Sequence, residues 1–155
     1  MSEFSVVIAK EEEWEEAMAL AYRTFMKFQG DVYTPEGVQN FVEFISDNKL
    51  FRMFQEQEYH LWVAKEEIGT IIGMGSLRSG NHISLLFVDE KWHKCGVGRA
   101  IMTEMENYVK EVDKDSITVN SSPYAVDFYH KLGFADLGEE QLNSGMYITP
   151  MRKVL

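Results

Sequence analysis

The chain has 155 residues, of which 45% are hydrophobic and 13% are aromatic, so it has enough apolar side chains for one stable core. Its formal net charge of −10 argues against nucleic acid as a partner, because phosphate backbones are bound by basic surfaces. The single Cys95 allows no internal disulfide, and no apolar run approaches the roughly 18 residues that cross a bilayer. We therefore expect one domain over residues 1–155, in the cytoplasm, with no nucleic-acid or membrane partner.

The first part of the chain predicts a strand followed by two helices. The strand is FSVVIA, residues 4–9, and apolar residues recur at helical spacing over residues 14–26. An acidic run at residues 11–16 suits the positive end of that first helix. Thr34 and Pro35 form a cap and first-turn pair that opens the second helix.

The remaining residues predict strands interleaved with helices. A hairpin is predicted over residues 59–78, and the apolar run at residues 85–88 indicates a central strand covered on both faces. One helix follows from Val97, and another begins at Ser122–Pro123 and ends at Gly133. With a short strand between these helices and a closing strand after them, the order of elements predicts an α/β fold with a mixed sheet.

Residues 93–100, HKCGVGRA, join the central strand to the next helix. A helix start has backbone N–H groups without partners, and glycines remove the Cβ atoms that would keep a ligand away from them. With Lys94 and Arg99 nearby, the segment predicts a phosphate cradle; the alternative is a tight turn that needs glycine only for its dihedral angles. The third glycine of a dinucleotide-binding pattern is absent, because position 101 is Ile, and the chain has no Walker A string.

Residues 86–102, LFVDEKWHKCGVGRAIM, resemble motif A of the GCN5-related N-acetyltransferases, the GNAT superfamily. The pattern of that motif is L-x-V-x-P-x-x-[QR]-x-x-G-x-[GA]-x-x-[LI]. The matching positions are Leu86, Val88, Gly96, Gly98 and Ile101. Glu90 stands where the family usually has Pro, and His93 stands where it has Gln or Arg.

A second block, SPYAVDFYHKLGF at residues 122–134, resembles motif B of the same superfamily, N-x-x-A-x-x-[FL]-Y-x-x-x-G-F. The matching positions are Ala125, Phe128, Tyr129, Gly133 and Phe134. Ser122 stands where Asn is usual. The two blocks have the expected order and separation, and the order of elements fits the superfamily fold over nearly the full chain.

The resemblance implies a fold and an activity. The fold is a single α/β domain with a mixed central sheet of about six to seven strands flanked by four helices. The activity is transfer of an acetyl group from acetyl-CoA, the cosubstrate, to a primary amine by direct attack in a ternary complex. Two alternatives stay open: a catalytically inactive module that binds acyl-CoA, and a domain that uses the glycine-rich loop for ATP.

The resemblance also implies which residues hold acetyl-CoA. The N–H groups expected to bind its diphosphate belong to Cys95, Gly96, Val97, Gly98, Arg99 and Ala100. Phe87 and Val88 border the gap where the central strand parts from its neighbour and admits the pantetheine arm. A β-bulge near Val88 would direct a backbone N–H at the thioester carbonyl. Ser122 takes the position of a side chain that contacts the pantetheine arm, and Tyr129 also borders the cofactor.

Tyr129 and His82 are the predicted catalytic residues. Tyr129 has the position of the family's general acid, and a phenol with a pKa of about 10 keeps its proton at neutral pH. The alternative is that Tyr129 only packs against the cofactor. His82 matches the position of a base, the alternative being a water relay that ends on backbone carbonyls. We expect no covalent role for Cys95 and, from the spacing of the histidines, no metal.

The acceptor is expected to bind beside the connection between the first two helices. There Phe28, Asp31 and Tyr33 combine aromatic rings with a carboxylate, which suits an amine. A small-molecule amine is favoured, while a peptide or protein amine stays open. Many members of the superfamily dimerise, so a homodimer is also open.

Overall fold

A computed structural model describes residues 3–29 and 33–155. Its first elements are β1 (Phe4–Ile8), α1 (Trp14–Phe28), α2 (Pro35–Ser46), α3 (Asn48–Gln55), β2 (Tyr59–Glu66), β3 (Ile71–Arg78) and β4 (His82–Val88). They are followed by α4 (Val97–Glu111), β5 (Ser116–Ser121), α5 (Val126–Lys131), β6 (Ala135–Asp136), β7 (Gln141–Asn143) and β8 (Met146–Val154). Within the described residues, no helix is both long and apolar enough to cross a membrane.

The strands form a mixed sheet in the order β1-β2-β3-β4-β5-β8-β6, and β7 pairs with the first part of β8. Among the pairs of the described strands, only β4 and β5 run parallel. The α/β fold with a mixed sheet is therefore confirmed. The structure adds α3 to the predicted helices. Asp47 separates α2 from α3 in an extended conformation, and its carboxylate accepts from the N–H of Lys49 at 2.8 Å, so neither glycine nor proline marks the break.

The sheet has a hydrophobic core on each face. One core lies under α1, α2 and α3, and the other lies under α4 and α5. Alternate residues of β4 enter different cores: Leu85 and Phe87 belong to the first, whereas Leu86 and Val88 pack against the second. This explains the continuous apolar run of β4 and confirms that it is a strand covered on both faces.

The start of α2 is fixed to the turn between β7 and β8. Thr34 caps the helix, because its hydroxyl accepts from the N–H of Gly37 at 3.1 Å, and the same hydroxyl donates to the Gly145 carbonyl at 2.8 Å. A Cβ atom on Gly37 would lie 2.7 Å from the carbonyl carbon of Gly145. Only glycine permits this approach, which holds the start of α2 against the turn between β7 and β8.

We expect Gly37→Ala to lower the free energy of unfolding by about 1–3 kcal/mol, because the added methyl group overlaps the Gly145 backbone. Urea denaturation measures the change. Gly138→Ala is the matched control, since a Cβ atom there meets its nearest neighbour, Pro150, at an ordinary 3.7 Å. Equal stabilities of the two variants would contradict this account.

Candidate active site

The central feature of the site is a gap between the parallel strands β4 and β5. Only His82 and Ile83 of β4 pair with β5, opposite Thr118 and Val119. Beyond these residues β4 stays paired with β3 and β5 stays paired with β8, so the two strands separate. The opening leaves one edge of β4 without a strand neighbour, and a ligand with hydrogen-bonding groups can take that place.

A β-bulge lies at Ser84. Its neighbours Leu85 and Ile83 pair with the consecutive residues Ser76 and Leu77 of β3, which leaves Ser84 as the extra residue. The bulge is therefore four residues before Val88, near which it was expected. The buried Tyr59 hydroxyl lies 2.6 Å from Ser76 Oγ and donates to Ser84 Oγ at 3.1 Å, so a polar network under the sheet holds the bulge.

The edge of β4 that faces the gap has N–H groups available for a ligand. The N–H of Asp89 donates to the Ile72 carbonyl of β3 at 2.8 Å. Because successive residues of a strand point their N–H groups to opposite sides, those of Leu86 and Val88 point away from β3 and into the gap. The Val88 carbonyl accepts from His93 Nε2 at 2.8 Å, so the ring at the altered motif position supports this strand edge.

The start of α4 has free N–H groups where the sequence predicts a phosphate cradle. Among the described residues, four successive N–H groups have no backbone acceptor; they belong to Gly96, Val97, Gly98 and Arg99. The other two predicted groups are already used, because Cys95 donates to the Trp92 carbonyl at 3.3 Å and Ala100 donates to the Gly96 carbonyl at 3.0 Å. Gly96 has a φ of 84°, a left-handed conformation that glycine adopts without strain.

Gly98 has a different role from the one its motif position suggests. A Cβ atom there would lie 3.2 Å from Phe128 Cζ and 3.7 Å from Val88 Cγ2, so it would point into the protein. Glycine at this position therefore allows α4 to approach α5 closely, and it does not clear space in front of the N–H groups.

Tyr129, on α5, lines the same cleft and is 4% exposed. Its ring packs edge-on against Phe128 and Phe134, at centroid distances of 5.3 Å and 5.2 Å. The hydroxyl has no hydrogen-bond partner among the described side chains, and Tyr129 lines the cleft. Burial raises the pKa of this phenol above its usual value of 10.0, so it keeps its proton throughout the neutral range.

His82 lies where β4 and β5 meet. Its Nδ1 is 2.8 Å from Thr118 Oγ1. When Nδ1 donates to this hydroxyl, Nε2 offers a lone pair. Burial, with a smaller effect from the positive charge of Arg78, lowers the pKa of His82 from 6.5 to about 4. The imidazole is therefore neutral at physiological pH and is able to accept a proton.

The residues predicted to bind the acceptor do not form one group. Phe28 packs against His93 and Tyr124, at centroid distances of 5.1 Å and 5.3 Å, and so lies beside the cradle. Tyr33 is buried near Ser122, and burial raises its pKa to about 12 although the Ser122 hydroxyl opposes the shift. Asp31 lies outside the described residues.

These groups surround one cleft with a volume of about 990 Å³. Among the described residues that line it, the charged ones are Arg78, Lys94 and Arg99, and none is Asp or Glu. The sequence analysis missed Arg78 and Ser84, because neither belongs to a local motif. The described residues contain no group of three or more metal-binding side chains.

Comparison with known proteins identifies the family. The model of the acetyltransferase (GNAT) domain matches residues 29–155, which is most of the chain. The chain belongs to the GNAT acetyltransferase family. Members of this family take their acetyl group from acetyl-CoA, so the predicted family, its acetyltransferase class and its cosubstrate are confirmed.

Similar proteins agree with this assignment. The peptidyl-lysine N-acetyltransferase YjaB of Escherichia coli is 34% identical over 86 residues, a match that covers 56% of each chain and thus about half the length of that relative. A GCN5-related N-acetyltransferase from Rhodopseudomonas palustris has a TM-score of 0.84 at 21% identity, covering 100% of this chain and 98% of the other. PaiA N-acetyltransferase from Thermoplasma acidophilum, solved with coenzyme A, has a TM-score of 0.79 at 16% identity, covering 99% of each chain. The GNAT fold expected from the sequence is therefore confirmed.

We expect His82 to titrate near pH 4 in the folded protein. Between about pH 6.5 and pH 4 the unfolded chain binds a proton here and the folded chain does not, so the free energy of unfolding falls as the pH is lowered. NMR titration of the histidine resonances, assigned with His82→Asn, measures the pKa. In Arg78→Ala the pKa should rise, because a nearby positive charge is removed. A His82 pKa close to 6.5 in the native protein would contradict the described burial.

Proposed function

We propose that the protein transfers an acetyl group from acetyl-CoA to a primary amine, by direct attack of the amine within a ternary complex. The observation that supports this most is the gap between β4 and β5, which extends from the cradle at the start of α4 to the His82–Thr118 pair. A proton donor and a proton acceptor line the same cleft as the cradle.

Binding of the cosubstrate is supported at two places. Four N–H groups at the start of α4, with the exposed Lys94 and Arg99, suit a diphosphate, because they combine hydrogen-bond donors with positive charge. The free N–H groups of Leu86 and Val88 suit an amide-containing chain that runs along the edge of β4. The Phe87 side chain packs in the first core, so Phe87 would support the edge of β4 only indirectly.

The chemical tasks that remain for side chains are two proton transfers. The acceptor amine must lose a proton, and the neutral His82 offers Nε2 to receive it, directly or through water. In the free protein His82 is a weak base, because burial lowers its pKa to about 4. The departing thiolate must gain a proton, and the Tyr129 hydroxyl lines the cleft and keeps its own proton at neutral pH. These two groups argue against the alternative of an inactive acyl-CoA-binding module.

The proposed acceptor is a small-molecule amine. The similarity to YjaB, whose name describes a peptidyl-lysine N-acetyltransferase, favours a second candidate, the side-chain amine of a lysine in a peptide. Release of free thiol from acetyl-CoA, measured with pooled amines and with lysine-containing peptides, separates the two. Mass spectrometry of the products identifies the acetylated compound. A cytoplasmic location and a homodimer remain predictions.

We expect coenzyme A at a hundred times its dissociation constant to increase the free energy of unfolding by about 2.7 kcal/mol, because it binds only the folded chain. Thermal unfolding measures this, with ATP and Mg²⁺ as the comparison. Stabilisation by ATP and not by coenzyme A would support the nucleotide-binding alternative.

We expect Tyr129→Phe to reduce kcat by about 100-fold or more, since general acid catalysis is worth that much, while the dissociation constant of acetyl-CoA stays nearly the same. Tyr22→Phe is the control, because Tyr22 is 45% exposed and does not line the cleft. Steady-state kinetics and calorimetry give the two quantities. An unchanged kcat would remove Tyr129 from the role of acid and leave it a packing residue.

A further inference from the structure

Two arginines flank His82 in one row across the sheet. Arg78 of β3 pairs with His82 of β4, His82 pairs with Thr118 of β5, and Thr118 pairs with Arg152 of β8. Residues directly opposite each other share a face, and neighbouring strands lie about 4.8 Å apart. Arg78 is thus one strand from His82, and Arg152 is two strands from it on the other side.

This row lies on the face that α1 and α2 cover in part. Arg78 comes two residues after Ser76, whose hydroxyl touches Tyr59 of the first core, so both point to the same side of β3. The side chains of His82 and Thr118, which are joined by a hydrogen bond, lie on this same face of the sheet. The cleft residues from α1 and α2 therefore face Arg78 and His82.

The charge of this region is opposite to that of the protein as a whole. The chain has 25 acidic and 15 basic residues, yet none of the described residues that line the cleft is acidic. Within the described parts of the chain, neither Arg78 nor Arg152 lies within 4.0 Å of a carboxylate. Arg78 lines the cleft, whereas Arg152 lies outside its lining. An exposed guanidinium at a cleft without a carboxylate partner is a binding group for an anion, so Arg78 is the main candidate.

The acceptor side also has an apolar surface, beside uncharged polar residues such as Gln29, Asn40 and Asn143. The described residues that provide this surface are Phe25, Phe41, Phe44 and Met146. An acceptor with an apolar part and a negative charge matches both features, whereas Arg78 would repel a polyamine.

On the basis of the proposed function, we propose that the acceptor is a primary amine that also has a carboxylate, which Arg78 binds, with Arg152 adding to the attraction, while the amine lies at His82. Hydrophobic amino acids have this chemistry. A bound carboxylate would also offset the charge with which Arg78 disfavours protonation of His82, so it would make the imidazole a better proton acceptor.

The test compares phenylalanine with three amines that lack its carboxylate: phenylalaninamide, phenethylamine and spermidine. Values of kcat/KM are calculated per concentration of unprotonated amine, because the amine pKa differs between these compounds. We expect phenylalanine to exceed its amide by at least about 10-fold, the effect of one charge-assisted hydrogen bond. Spermidine should be the poorest acceptor.

Arginine variants test which side chain binds the carboxylate of the acceptor. Arg78→Gln should lower kcat/KM for phenylalanine by about 10- to 100-fold. It should leave the KM for acetyl-CoA unchanged, and it should not lower the value for phenylalaninamide, because removing the Arg78 charge can only make His82 a stronger base. Arg152→Gln should have a smaller effect in the same direction. Arg52→Gln is the control, because Arg52 lies on α3 and does not line the cleft. Thermal unfolding checks that each variant folds.

Three results would overturn the proposal. If phenylalaninamide or phenethylamine equals phenylalanine, or if Arg78→Gln affects all amines alike, acetyl transfer stands and the carboxylate preference is wrong. If lysine-containing peptides are acetylated and amino acids are not, the acceptor is the peptide. If no amine in any pool releases thiol from acetyl-CoA, the proposed function fails together with this inference.

Discussion

The parting of β4 from β5 after two paired residues is the constraint on which the rest of the site depends. Each strand keeps its other neighbour, because β4 pairs with β3 as far as Val88 and β5 pairs with β8 as far as Ser121. The gap is therefore held open by hydrogen bonds on both outer sides, and its exposed N–H groups are available to a ligand. The bulge at Ser84, fixed by the Tyr59 hydroxyl, lies just beyond the last pair.

The gap also connects the two faces of the sheet. Tyr129 belongs to the core under α4 and α5, whereas His82 lies on the face of α1 and α2. In the proposed reaction a proton leaves the acceptor on one face, and another reaches the thiolate from the opposite face. The two substrates would then approach from different sides of the sheet, which suits a direct transfer without a covalent intermediate on the protein.

The electrostatics of the cleft follow from where the charged residues lie in the fold. Arg23 and Lys27 of α1 pair with Asp89 and Glu90 at the surface, so these cations are already partnered. Such exposed pairs contribute little stability, but they keep acidic side chains occupied outside the cleft. The positive charges of the cleft lie at both proposed substrate positions: Lys94 and Arg99 are near the cradle, and Arg78 is near His82.

The sequence by itself determined the family, the order of the main elements and the glycine-containing helix start at residues 93–100, because these depend on residues close together in the chain. Only the tertiary structure decided which N–H groups of the cradle are free, why Gly98 is glycine, and where the bulge lies. It also decided that Arg78, His82, Thr118 and Arg152 form one row. Strand register joins residues far apart in the chain, and a shift of one residue would turn each side chain to the other face, so no local pattern could have predicted that row.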